Sequence, residues 1–391
     1  MKKFFTLCLL FTVLLSASAD EIVKRYTVGK PQVKQNGLQQ TVNFDQAMLS
    51  GKPGEPVLPY FAVNLLLPPG HEAVSIRFEG SGETLIPGNF NLVSGQYSRP
   101  LSEPGVPLNL RNEEVYRSMS AYPEISTGAL STQYMNGYAF AQTVFTPVIY
   151  IPGKGELKYF EQVTIRIQTR ETEKGREALK NLSASPSVKE NCLRNAQNTE
   201  TAGLYAAPTR SVSDYEILII TPEAFVDQFD ALTQLYLPRG MKTQITTTAY
   251  IQANSTGVDM PEKIRNYIIQ EYQQHGIEHV VLGGDVEHVA YRGFYCHVQS
   301  SSAYEDYNIP SDLYYSALDG NWNTNGNNVW GEIGEDDLLP EVSVGRLSFS
   351  NTAELAAMLN KTIKYQNEPV LGELRNPLLA GEHLYDTPET W

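Results

Sequence analysis

Glu216-Ile217-Leu218-Ile219-Ile220-Thr221 holds four consecutive aliphatic residues between polar neighbours. A run this short and this apolar reads as a strand buried on both faces, the kind found inside parallel sheets. Downstream, Phe225, Phe229, Leu232 and Leu235 recur at steps of three and four, which predicts a helix stopping at Pro238-Arg239-Gly240. Residues 242–250 read as a second strand. Asp259 and Pro261 then open a helix with Ile264, Ile268 and Tyr272 on one face, closed by Gly276. His279–Gly283 and residues 342–348 read as further strands. Asn351 with Glu354 forms a capping box for a helix carrying Leu355, Met358, Leu359 and Ile363. A last strand over Asn376–Ala380 would deliver Gly381 and Glu382. Alternating strands and helices require crossover connections, so residues 214–391 are expected to form an α/β domain with a mostly parallel sheet.

Upstream the period changes to two. Val74-Ser75-Ile76-Arg77-Phe78 and Val163-Thr164-Ile165-Arg166-Ile167 each present one apolar and one polar face, and Pro-Gly pairs at Pro53, Pro69, Pro87, Pro104 and Pro152 mark turns. Residues 20–170 therefore predict an all-β, sandwich-like domain. Residues 171–213 are charged, then small and polar, and read as a linker exposing Arg176 and Arg210 to proteases. At the start, Lys2 and Lys3 precede an apolar stretch and Ala17-Ser18-Ala19, which reads as a signal peptide over 1–19 cleaved after Ala19. The apolar stretch is shorter than the ~20 residues that span a bilayer, so an exported chain without a transmembrane segment is expected. The 391 residues carry 30 Lys+Arg against 44 Asp+Glu, a net charge of −14. That balance argues against a nucleic-acid partner, because phosphate binding needs a basic surface.

Several motifs invite chemistry. His275-Gly276-Ile277-Glu278-His279 matches H-x-x-E-H, but Gly276 ends the helix that such a zinc site needs. Cys296 and His297 are adjacent on an extended segment and face opposite sides, so they do not make a nucleophile–base pair. Cys192 lies in the linker, and export permits but does not require its pairing with Cys296. The stretch from Asp319 through Glu332 (DGNWNTNGNNVWGE) alternates oxygen-bearing side chains, then supplies Gly326 and a glutamate six residues later. This spacing resembles a calcium loop with Asp319, Asn321, Asn323, Asn325 and Glu332 as candidate ligands. An Asn/Gly-rich surface loop is the plain alternative. Glu382 follows the last predicted strand, at the carboxyl edge where open parallel sheets place their active sites.

Taken together, residues 20–391 resemble the front part of a gingipain-type cysteine peptidase of family C25. In the β half, Gly54-Glu55-Pro56-Val57-Leu58-Pro59 and Leu67-Pro68-Pro69-Gly70 resemble that family's propeptide. In the α/β half, the likeness to its caspase-like catalytic domain lies in Val280-Val281-Leu282-Gly283-Gly284-Asp285, Ser311-Asp312-Leu313-Tyr314-Tyr315 and Asp319-Gly320. Pro340-Glu341-Val342-Ser343-Val344-Gly345-Arg346-Leu347 and Leu378-Leu379-Ala380-Gly381-Glu382 complete it. The resemblance implies a cysteine nucleophile, a histidine acid/base and an acid that orients the histidine, the last falling on Glu382. It places the nucleophile and base beyond Trp391, so the chain as given is expected to be inert. It also implies calcium in the catalytic domain and a propeptide that masks its own catalytic domain until a cut near Arg210. The expectation is a secreted or cell-surface cysteine endopeptidase zymogen acting on protein or peptide substrates. The rival is a secreted binding or adhesion protein with a calcium-stabilised α/β scaffold.

Overall fold

The computed structural model describes residues 20–97, 99–100, 110–206, 214–299, 303–376, 378–379, 381 and 385–386. Ala19, Arg210 and Glu382 lie outside the described residues.

Two antiparallel four-stranded sheets build the β-rich half. In the first, the long strand Glu156–Glu171 pairs with Asp20–Thr27, Val148–Ile151 and His71–Ile86. The second has the order Met48–Ser50, Leu58–Leu66, Tyr138–Phe145, Ser131–Met135. Alternation decides which side chains meet. Val163, Ile165 and Ile167 from one sheet share a core with Val63, Leu65, Ala139 and Ala141 from the other, while Thr164 and Arg166 face outward.

Residues 171–206 depart from the linker reading. Helices Glu173–Ala178 and Pro186–Arg194 and 3-10 turns fold this stretch back onto the β-rich half. Cys192 and Tyr205 are buried there with Leu66, Tyr138, Phe140 and Leu182. Beside them, two side-chain amides act as a surrogate strand. Asn198 accepts from the Leu66 N–H (2.7 Å) and donates to the Leu66 carbonyl (2.9 Å), and Gln197 accepts from the Asn64 N–H (3.0 Å) and donates to the Ala62 carbonyl (3.0 Å).

The second half is a parallel sheet in the order Thr243–Thr247, Ile217–Thr221, His279–Gly283, Ser343–Leu347. The apolar run that opens this half feeds both faces. Ile217 and Ile219 pack with Phe225, Phe229, Leu232, Leu355 and Leu359 on one side. Leu218 and Ile220 pack with Ile264, Ile268 and Tyr272 on the other. Each such side chain contributes on the order of 1.5–3 kcal/mol when removed from water.

The helix Met260–His275 starts where Asp259 accepts from the Glu262 N–H and ends at Gly276, whose φ of 69° suits glycine. Asn351 caps Thr352–Asn367 by accepting from the Ala353 and Glu354 N–H groups, while Glu354 reaches back to the Asn351 side-chain amide and the Ser350 N–H, a variant of the expected capping box. After the first strand the helical stretch is a 3-10 turn, Glu223–Phe229, before the α-helix Asp230–Tyr236. The second strand stops at Thr247, because its hydroxyl accepts from the Tyr250 N–H and caps a helix over Thr248–Asn254. The strand expected over Asn376–Ala380 is absent at its described residues, and Leu378 and Leu379 are 92% and 90% exposed. Among the described residues no strand of the sheet pairs with them.

A candidate metal centre at the seam between the halves

The two halves meet at the amino-terminal ends of the parallel strands. Helix Met260–His275 ends on this side, so Tyr272 and Gln273 face the β-rich half. The Tyr272 hydroxyl donates to the Asn181 carbonyl (2.6 Å) and Gln273 donates to the Asn181 side chain (2.9 Å). Ser187 donates to Glu278, one residue ahead of the third strand (3.2 Å). Asn136 sits on a tight turn with φ 51°. Its backbone N–H donates to Glu341 Oε1 (3.1 Å), and its amide donates to the Glu341 carbonyl (2.8 Å) and to Tyr272 (2.9 Å).

At this seam Asp319, Asp337 and Glu341 bring carboxylate oxygens within 4.8 Å of one another. Three devices put them there. Arg265, buried on its helix, donates to the carbonyls of Tyr314, Ala317, Asp319 and Gly320 and so pins the turn bearing Asp319. Glu341 precedes the strand Ser343–Leu347 and accepts from the Leu318 N–H at 2.6 Å. Asp337 accepts from the Leu339 N–H at 3.2 Å. One oxygen on each of Asp319, Asp337 and Glu335 is buried without a hydrogen-bond partner among the described residues. Burial, reinforced by the neighbouring carboxylates, pushes Asp337 up to about 7 and Glu341 well above the usual range. Burial likewise raises Asp319, against hydrogen bonds from Glu341 and Asn181.

Positive charge is present but does not outweigh burial: the Arg265 guanidinium, hydrogen-bonded to carbonyls, acts on Asp319 and Asp337 from a distance, and Lys174 acts on Asp319 from the rim of a cavity of about 240 Å³ lined also by Tyr134, Asp319, Glu335 and Asp337. Hard carboxylate oxygens, one unpartnered on each aspartate, fit a divalent cation such as calcium.

The structure keeps Asp319 from the predicted ligand set and groups it with Asp337 and Glu341. The other four candidates close on themselves instead. Glu332 accepts from the Asn325 and Asn327 amides (2.8 and 2.7 Å), Asn321 accepts from the Asn323 N–H, and Asn323 accepts from the Asn328 N–H. These are asparagine turns, in which the side-chain oxygen serves the local backbone. Counting spacings inside one loop missed Asp337 and Glu341. The available signal was Asp336-Asp337 and Pro340-Glu341 just ahead of the strand Ser343–Leu347. His275 stacks on Tyr215 at the helix end while His279 lies in its strand, so H-x-x-E-H makes no centre. His297 approaches Glu305 (3.4 Å), and Cys192 and Cys296 are both free.

The raised carboxyls make a pH prediction. Between its ordinary 3.8 and about 7, Asp337 holds a proton in the folded chain that the unfolded chain has released. Stability therefore falls as pH rises through that window. In chelator, the melting temperature should drop between about pH 4 and about pH 7, with a loss of a few kcal/mol. Saturating calcium should remove the drop. Calorimetric scans showing the same pH slope with and without calcium would count against a cation at these carboxylates.

The chain is similar to a structure of gingipain K from Porphyromonas gingivalis, described for its zymogenic latency, at 18% identity over 39% of this chain and 88% of that one, with a TM-score of 0.33. A complex of the RgpB pro- and mature domains from the same organism matches at 16% identity, over 41% of this chain and 84% of that one, with a TM-score of 0.32. Dimeric latent PorU, also from Porphyromonas gingivalis, matches at 12% identity over 86% of this chain and 41% of that one, with a TM-score of 0.29. Identities and TM-scores this low add nothing beyond the family match. Among curated proteins none matches. The model of peptidase family C25 matches residues 210–388, which take in the parallel sheet and all three clustered carboxylates. What the comparisons show is thus a match to peptidase family C25 over residues 210–388.

Proposed function

We propose that this chain is the pro-domain and the first part of the catalytic domain of a secreted cysteine endopeptidase, held latent until the connection between its halves is cut. The family match over residues 210–388 carries the reading. In such an enzyme a thiolate attacks the peptide carbonyl while a histidine moves the proton. Neither Cys192 nor Cys296 suits the nucleophile's role, since Cys192 is buried at the seam and Cys296 stands on a strand beside His297, whose ring approaches Glu305 instead. Glu382 remains the candidate for orienting the histidine.

Latency draws support from a second contact between the halves. Arg99–Pro100 of the β-rich half pairs antiparallel with Tyr385–Asp386, three residues beyond Glu382. A strand added beside a peptidase's substrate path occupies backbone positions that an extended peptide would need. Calcium, bound by Asp319, Asp337 and Glu341, would have a structural task, because these residues lie at the amino edge of the sheet and not at its carboxyl edge.

The gene product containing this chain should therefore hydrolyse a fluorogenic peptide poorly until an Arg-specific protease cuts between residues 206 and 214. Activity should then rise by an order of magnitude or more and be abolished by iodoacetamide. Deleting residues 98–109 should raise activity without the cut. An activated product with no thiol-dependent hydrolysis would leave a secreted scaffold as the better description.

A further inference from the structure

The β-rich half supplies part of the wall around the clustered carboxylates. Asn181 donates to Asp319 Oδ1 at 2.8 Å, and Asn136 donates its backbone N–H to Glu341 Oε1 at 3.1 Å. Tyr134 and Lys174 close the cavity from the same side. Docking thus covers Asp319, Asp337 and Glu341, the last two only 7% and 4% exposed.

We propose that a divalent cation held by these carboxylates is the latch between the two halves, so that the β-rich half docks tightly only on the loaded site. The proposal rests on the calcium reading above and adds a coupling, with Asn136 and Asn181 as the residues that transmit it. With the halves apart, water solvates the carboxylates. With the halves together and no cation, the crowded carboxylates must either stay charged out of water or take up protons, and at neutral pH either course costs free energy. A bound cation removes most of that cost. Cation binding and docking therefore favour each other, and by the same factor in both directions.

The donors match this role. Asn136 and Asn181 offer neutral N–H groups, which orient carboxylates already engaged with a metal and leave the metal its charge to neutralise. Arginines or lysines at these two positions would have compensated the cluster without any ion. The partnerless oxygens of Asp319 and Asp337 are the ligand positions that the β-rich half leaves open.

The test uses the whole chain with a specific protease site placed within residues 207–213. Calorimetry on the uncut chain, with calcium chloride as the probe, asks whether the ion binds; binding should vanish in Asp337→Asn. After cutting, gel filtration asks whether the two pieces travel together. They should co-elute in calcium and separate in chelator, with an apparent dissociation constant at least about tenfold weaker without the ion. Hydrogen exchange in the uncut chain gives a second readout that needs no separated pieces. The Asn136 amide should exchange about tenfold more slowly with calcium, and Asn181→Leu should shrink that protection. Calcium binding with co-elution and Asn136 exchange indifferent to chelator would overturn the latch and leave the calcium reading standing. No calcium binding at all would overturn both.

Discussion

Replacing Arg265 with leucine should destabilise the α/β half by about 3–5 kcal/mol, the range for removing one member of a buried charged network. The guanidinium is 4% exposed and donates to the carbonyls of Tyr314, Ala317, Asp319 and Gly320. Leucine fills part of the volume and takes this donor from the Tyr314, Asp319 and Gly320 carbonyls, at roughly 1–3 kcal/mol for each that water cannot reach, while Ala317 keeps the Trp322 indole N–H (3.4 Å). Lysine should recover little, because one ammonium cannot reproduce a planar fork that reaches several carbonyls. Trp322 reports on the same neighbourhood, buried and stacked on Phe294 at a 4.5 Å ring separation. Urea unfolding followed by tryptophan emission should show the midpoint fall, and calcium affinity should fall with it because the turn bearing Asp319 loses its anchor. An unchanged midpoint would mean that the helix does not hold this turn.

The second large effect is chemical. Burial, with the Glu341 charge adding to it, pushes the Cys192 thiol up to about 12. At neutral to mildly basic pH its thiolate population is then about a thousandfold below that of an ordinary cysteine. Its sulfur lies 3.5 Å from Asn136 Oδ1 and 3.8 Å from the Met135 carbonyl, with no exposure to solvent. Iodoacetamide should therefore modify half-buried Cys296 first and leave Cys192 intact, as peptide mapping would reveal. Comparable rates at both positions would require the helix Pro186–Arg194 to leave its seat often. That helix lies against the seam, so Cys192 labelling is also a reporter of its opening.

Much of the α/β half was legible because its signals are local. The aliphatic run at Ile217–Ile220, the Asp259 and Asn351 caps and the terminating Gly276 each act within a few residues, and the structure uses all of them. Residues 171–206 were not legible as folded structure, because what orders them is remote. Cys192 and Tyr205 find Leu66, Tyr138 and Phe140 more than fifty positions away, and composition alone looked polar. The carboxylate cluster failed to show for the same reason. Its members come from a turn after one short helix and from the entry to a strand, joined by Arg265 and not by a repeat. Asp319 was found because a loop motif happened to include it.

The amide pairs of Gln197 and Asn198 with the main chain of residues 62–66 carry a consequence for solubility. An open sheet rim invites a neighbouring molecule to add its own strand, which is how filaments begin. Here two side chains already occupy that rim, and they come from a segment upstream of residues 207–213. A cut there leaves the seal attached, so the liberated β-rich fragment keeps a rim that cannot recruit a second copy.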